Sequence, residues 1–470
     1  MANKKEELFS RSMLARPEGP EDAHPQGQGG RRLGRIHDRI LDVLAQVEAG
    51  VPADKALRTV FNKARDLGSN ERHQVSDTVY GYLRRYRRVD DTLTRAMKAI
   101  RRPLDTIDPP VVTRLKLLTY LTLIGANEAD LKATDAYAQK RVPGLFDKIL
   151  SGKVGPPKGD TAEVMAIELS LPTFLVRRLL ATHGSDRTQA IAQALEGRAP
   201  LTLRANRLLI SRDELQVRLQ TELNIQARPT PWSPDGLILP PGAQIREWRG
   251  FDDGLCELQD EGSQLIALAT GARPGLSVLD ACAGAGGKTL GIAALMGRKG
   301  RLLAIDPDEK KLDELKKRLR RADVPNGEVK ASDLEHLDPE LHGRFDIVLL
   351  DAPCTGLGTL RRNPDLVLRS SEEDLVESVA RQKRLLVSAI LALKPGGRLV
   401  YATCSVVPDE NEGVIHNLLA HDERVRPLAL ATTWGPELAQ GLKASYEVNL
   451  GPGPTEDGPD GFYVALLERV

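Results

Sequence analysis

Between positions 33 and 150 the apolar residues recur at helical spacing. Ile36, Ile40, Val43, Leu44 and Val47 lie on one stripe closed by Gly50, Val75, Val79 and Leu83 lie on another, and a Leu- and Val-rich stretch opens at Asp108-Pro109 and ends near Gly125. This spacing predicts an all-helical domain. Residues 151–160, SGKVGPPKGD, read as a linker from their Gly, Pro and Lys content, and residues 1–32 show no periodicity and read as a flexible tail. From 161 to 265 the pattern shortens. LTLRANRLLI alternates as a strand does, Ser211 and Glu214 form a capping box after it, and NIQARPTPW and GLILP supply further extended pieces, so a small α+β module is expected. From 266 to 470, and clearly after Pro274, the rhythm becomes strand, loop, helix. SVLD, RLLAID, GEVKAS, FDIVLLD and RLVYATC are five apolar runs separated by helical segments, one of them long and starting after Ser371. This predicts an α/β domain built on a parallel, doubly wound, Rossmann-like sheet. The closing YEVNLGPGPTEDGPDGFYVALLERV predicts an antiparallel pair of strands at the sheet edge.

Chemistry enters where the apolar runs stop, because open α/β sheets hold ligands at the carboxyl ends of their strands. VYATCSVVPDENEG puts Cys404 at one such end, and FDIVLLDAPCTGLG puts Asp351 and Cys354 at another. A lone thiol there reads as a small buried hydrophobe, but two on neighbouring strand ends point to covalent chemistry. DACAGAGGKT follows the first strand and opens a helix, a place for a nucleotide-like ligand. It is not a Walker A loop, since Cys282 stands where the first glycine is required, and it is not GxGxxG, since Thr289 stands where the last one is required. Asp306, ending the second strand, is placed to accept from ribose hydroxyls, and Asp333, after the third, from an adenine amine. An adenosine held without a phosphate cradle describes S-adenosylmethionine.

Composition then narrows the setting. At 470 residues several domains are expected. The four cysteines, Cys256, Cys282, Cys354 and Cys404, form neither a CxxC pair nor a metal-ligand spacing, so no disulfide framework and no metal are expected and a reducing cytoplasm is. No stretch has the length of a membrane span, and the first residues lack the apolar core of a signal peptide. Net charge is only +1, yet Lys and Arg outnumber Asp and Glu by 23 to 15 over residues 31–150 and trail by 26 to 30 over residues 271–470. A basic helical front suits a polyanion such as RNA. Arg84, Arg85, Arg87 and Arg88 are its candidate phosphate contacts, with Arg361 and Arg362 beside the second thiol.

LQDEGSQL, VLDACAGAGGKT, LLAID, ASD, LLDAPCTGLGTLRRNPD, YATCSVVPDENE and DGFYVALL together resemble the Sun/RsmB-type RNA cytosine-5 methyltransferases. RHQVSDTVYGYLRR and ATDAYAQK in the front resemble NusB-like RNA-binding domains. The resemblance implies a class I methyltransferase domain preceded by an all-helical NusB-like domain and acting on small-subunit ribosomal RNA; the order of elements over 161–265 suits a ferredoxin-like, RNA-contacting module, and a monomer is expected. It implies Cys404 as nucleophile, Cys354 as the cysteine that helps release product, and Asp351 as the group that binds the target base at the edge of the cofactor pocket. Cys282, Ala283, Gly284, Ala285, Gly286, Gly287 and Lys288, with Asp306, Asp333 and Asp351, are the implied cofactor contacts. Ala285 departs from the family pattern, in which proline is common at that position.

Two other readings stay open on sequence. A cytosine-5 methyltransferase of DNA or transfer RNA is one, since DNA enzymes use a Pro-Cys pair like Pro353-Cys354. A non-catalytic ribosome-assembly factor that retains the fold is the other.

Overall fold

The computed structural model describes residues 30–452 and 457–470. The tail expected over 1–32 lies outside them, save its last three residues, which open the helix Gly30–Glu48.

The chain divides into two compact units, residues 1–82 with 89–156, and 83–88 with 157–470. The first is helical as expected. Asp108 precedes the helix Pro109–Leu123, whose first-turn proline needs no hydrogen-bond donor. Leu93, Met97, Leu115, Leu118, Leu131, Leu145 and Phe146 form its core. A buried carboxylate, Asp135, lies 3.0 Å from His37 Nε2 and 2.6 Å from Arg114 Nη1. Burial acts to raise its pKa, but His37, the Ala138 N–H and Arg114 outweigh burial and hold it well below the usual range.

The second unit contains two sheets. The smaller is antiparallel, in the order β2 (Arg228–Pro229), β3 (Gly236–Leu239), β1 (Leu201–Ala205), β4 (Cys256–Leu258). Ser211 and Glu214 cap the helix Arg212–Leu223 reciprocally, as their spacing predicts. The strand expected over 201–210 ends at Ala205, where Asn206 turns away to bond the carbonyls of Gly254 and Ala322. The division expected after residue 265 falls inside the helix Glu261–Ala269.

The larger sheet follows the five apolar runs: β5 (Ser277–Asp280), β6 (Arg301–Asp306), β7 (Gly327–Ala331), β8 (Phe345–Asp351) and β9 (Leu393–Thr403), all parallel, in the order β9-β8-β5-β6-β7. Beyond β9 come β10 (Val425–Pro427), β11 (Glu447–Leu450) and β12 (Phe462–Arg469). The expected antiparallel pair of β11 and β12 is present, but β12 is not at the edge. It lies between β9 and β10 and continues the sheet. Its six consecutive buried residues, Phe462 to Leu467, account for this, since a strand apolar on both faces belongs inside a sheet. One face of the sheet packs on Leu265, Ile292, Leu312 and Leu315, and the other on Leu385, Leu386, Ile390 and Ile415. The long helix Glu372–Ala392 starts from a capping box between Ser371 and Asp374.

Candidate active site

The glycine loop forms because β5 must turn into the helix Gly287–Met296 within a few residues. Gly286 has φ +84°, and a Cβ there would lie 2.1 Å from Leu315 Cδ1, so only glycine fits. The loop is gripped from several sides. Gly284 N–H donates to Asp306 Oδ2 at 2.9 Å, and Asp308 N–H donates to Asp306 Oδ1 at 2.9 Å. Arg318 Nη1 donates to the carbonyl of Ala285 at 2.7 Å, and its Nη2 donates to Glu257 on β4 at 2.9 Å. Gln259 Nε2 donates to the carbonyl of Gly287 at 3.1 Å while its Oε1 accepts from Arg204 Nε at 2.7 Å. Ala285, without proline's stiffness, is thus braced from the small sheet. Asp333 caps the turn Leu334–His336 through Glu335 N–H, 3.0 Å away, and is half-buried.

Two of the expected loop contacts have other duties. Lys288 reaches Asp351: its Nζ donates to Oδ2 at 2.7 Å and lies 5.6 Å from the centre of the Phe462 ring. Burial works to lower its pKa, but the Asp351 carboxylate, with Cys404 and Asp280, overcomes this and raises it. Cys282 packs among apolar side chains, and burial, reinforced by Asp280, Asp351 and Asp306, pushes its thiol up and keeps it neutral.

The thiols come together. β8 and β9 are adjacent and parallel, so Cys354 and Cys404 leave the same end of the sheet, with their sulfurs 3.4 Å apart and both side chains half-buried. The Cys354 pKa is raised well above the usual value by the hydrogen bond with Cys404, then by burial and by the charges of Cys404 and Glu410.

Long-range ties fix both thiol loops. Glu410, fully buried, accepts from Thr355 N–H at 2.8 Å, Thr355 Oγ1 at 2.6 Å and Gln382 Nε2 at 3.1 Å. Asn411 accepts from Thr403 Oγ1 at 2.5 Å and donates to the carbonyl of Ser405 at 3.0 Å. Gly358 N–H donates to the carbonyl of Cys404 at 3.0 Å, and its own carbonyl accepts from Gly461 N–H at 2.8 Å. A Cβ on Gly358 would lie 1.8 Å from the carbonyl oxygen of Gly461.

The arginines expected at phosphates are mostly spent inside the fold. Arg361 is 2% exposed and donates to Asp460 Oδ1 at 3.0 Å and the carbonyl of Gly458 at 2.7 Å. Arg362 donates to Asp460 Oδ2 at 2.6 Å and Asp260 Oδ2 at 2.8 Å. Within the second unit, Arg87 donates to the carbonyl of Leu171 at 2.6 Å, Arg88 to that of Glu168, and Arg84 to that of Arg361 at 3.2 Å. Burial of a guanidinium requires such partners, and sequence does not display them.

The sequence reading also missed Asp280 and Glu410. Asp280 is buried: Oδ2 accepts from Thr289 Oγ1 at 2.6 Å and Oδ1 has no partner. Burial, with Asp351 and Asp306, pushes its pKa up to about 7 against the opposing Thr289 and Lys288. Its position at the end of β5 was the available signal. Glu410 sits among Asp409 and Glu412, and nothing local marks it as the buried one.

Comparison with known proteins bears on this geometry. The model of the family described as 16S rRNA methyltransferase RsmB/F matches residues 267–468, and that of the RsmF/B-like ferredoxin-like domain matches residues 171–246. The probable ribosomal RNA small subunit methyltransferase B of Coxiella burnetii is 30% identical over 413 residues, 85% of this chain and 94% of that protein. The chain belongs to the RsmB/F family. The crystal structure of a methyltransferase homolog protein from Pyrococcus horikoshii is 31% identical, covers 67% of this RsmB/F chain and 100% of its own, and has a TM-score of 0.56. That of PH0851 is 24% identical, covers 94% and 99%, and has a TM-score of 0.74, which shows the fold. RsmB/F enzymes depend on S-adenosylmethionine, and the residues present fit it. Asp280 Oδ1 is a buried acceptor awaiting a donor, and a Cβ on Gly284 would meet nothing within 4 Å. Asp306 and Asp333 keep lone pairs for hydroxyl and amine donors. No helix among the described residues is long and apolar enough to cross a membrane.

Proposed function

We propose that this RsmB/F enzyme methylates carbon 5 of a cytosine in small-subunit ribosomal RNA through a covalent adduct between Cys404 and carbon 6. The observation that carries the reading is the pair of thiols 3.4 Å apart at the carboxyl ends of adjacent strands, beside the Lys288–Asp351 pair. The substrate is named by the relatives, which are called ribosomal RNA small subunit methyltransferases.

Carbon 5 is a poor nucleophile within the conjugated ring, and addition of a thiolate at carbon 6 converts the ring to an enamine. Cys404 is the thiolate in this reading, with the Lys288 ammonium as countercharge. S-adenosylmethionine, held by the glycine loop with Asp280, Asp306 and Asp333, supplies an electrophilic methyl group. Asp351, partnered by Lys288, hydrogen-bonds the base at ring nitrogen 3 and shares the proton taken up there. Cys354, once it has released its own thiol proton to solvent, accepts the carbon 5 proton as a thiolate, which lets Cys404 leave as a thiolate.

The two sulfurs explain the order of events. While Cys404 is free, its hydrogen bond and its charge both hold the proton on Cys354. Once Cys404 is a thioether these two influences are gone and the Cys354 pKa comes down, with burial and Glu410 still acting to raise it, so the second thiol gives up its proton more readily than before.

The test is adduct trapping with ribosomal RNA and S-adenosylmethionine, read on denaturing gels. Cys354→Ala is expected to accumulate a covalent protein–RNA species and Cys404→Ala to form none. The opposite pattern would give the nucleophile's role to Cys354, as in the DNA enzymes, and refute this assignment.

A further inference from the structure

At the opposite end of the large sheet lies a cleft of about 640 Å³, lined in part by Arg207, Arg273, Arg398, Leu268, Leu295 and Glu468. Arg398 and Cys404 are on one strand and its exit, six residues apart, so the cleft is about 20 Å from the thiols.

The charges around it do not balance within the protein. Three carboxylates are close to these arginines, and each is engaged. Asp235 is held by Arg207 at 2.6 Å, Asp346 by Lys394 at 2.7 Å, and Glu468 by Arg426 at 2.6 Å. Among the described residues Arg273 and Arg398 have no ion-pair partner. Among the described residues the Arg398 guanidinium makes one hydrogen bond, a long one of 3.5 Å from Nη2 to the carbonyl of Gly271. Burial, then the neighbouring Arg273 charge, lowers the Arg398 pKa against the opposing Asp346 and Glu468 carboxylates. Arg398 is half-buried in a cleft that also holds apolar Leu268 and Leu295, with Arg273 as a like-charged neighbour, and a bound anion would relieve that repulsion. Guanidinium forks match phosphoryl oxygens well.

We infer that this cleft is a phosphoryl-anion site, engaged by a backbone phosphate of the RNA at a distance from the methylated base. The choice of RNA as the source rests on the function proposed above. The chemistry of the site does not.

The test uses the full-length protein and reads binding without methyl transfer, so its outcome is separate from that of the adduct experiment. A small-subunit ribosomal RNA transcript is titrated by filter binding over a range of KCl concentrations, and inorganic pyrophosphate is titrated by calorimetry. Arg273→Glu is expected to weaken RNA binding about tenfold and Arg273→Ala about threefold, each reducing the salt slope by about 1. Arg398→Lys, which keeps the charge, is expected to stay within about threefold of wild type. Arg273 is exposed and has no ion-pair partner, so its variants keep the fold, which thermal melting verifies. Unchanged RNA affinity together with pyrophosphate binding that Arg273→Glu abolishes would keep the site and assign it to a free anion. If Arg273→Glu changes neither titration, the site does not exist.

Discussion

The two halves of the active site are held together over different distances along the chain. On the cofactor side, Gly284 and Asp306 are 22 residues apart, and Gln259 and Gly287 are 28 apart. On the thiol side, Thr355 and Glu410 are separated by 55, and Arg361 and Asp460 by 99. The cofactor half is a local turn with added braces, of which one reaches far, since Arg318 is itself held by Glu257, 61 residues away. The thiol half exists only once distant segments have met, and its polar ties are buried, where removing one partner leaves the other unpaired. Damage to the first half should therefore appear as weaker cofactor binding, and damage to the second as lost turnover and stability.

The largest effect is expected at the proposed nucleophile. Cys404→Ala should lower methylation by roughly 10³-fold or more while calorimetry finds cofactor affinity within about twofold of wild type, because no ligand of the glycine loop is touched. A parallel collapse of cofactor affinity would erase the division between the halves. Next comes Arg361→Ala, which leaves the buried Asp460 carboxylate to Arg362 alone and should destabilise the protein by about 1.5–3 kcal/mol in urea unfolding. Glu410→Gln should cost about 1–3 kcal/mol, since an amide N–H then faces donors that the carboxylate satisfied. It should also lower kcat about tenfold with little change in KM for S-adenosylmethionine. The smallest effect belongs to the cofactor half. Glu257→Gln weakens the hold on Arg318, and so on the carbonyl of Ala285, and should raise KM for S-adenosylmethionine about threefold with kcat retained. A drop in kcat of the same size would mean that the small sheet acts on the thiols as well.

The same difference in range governs how much was legible in the sequence. The five parallel strands, the capping boxes at Ser211 and Ser371, and the glycine loop are each written within about ten residues, and each was found where expected. The pairing of Cys354 and Cys404 was also readable, because strand ends in a parallel sheet share one edge. What failed were inferences that needed a partner. Arg361 and Arg362 look like free loop cations until Asp460 and Asp260 arrive from elsewhere in the chain. β4 and β10, three residues each, are too short to show a period. β12 was mistaken for an edge because its neighbour β10 is so slight.

The position of β12 also bears on how the protein is made. It is the last strand of the sheet to be synthesised, yet it lies against β9, and Gly461 just before it is bonded to the loop that supports both sulfurs. During translation the thiols therefore emerge well before their surroundings can close. A nascent chain stalled short of residue 462 would carry both cysteines and the whole glycine loop and still have no working centre. Each copy of this enzyme becomes competent only once β12 has been made and has settled beside β9.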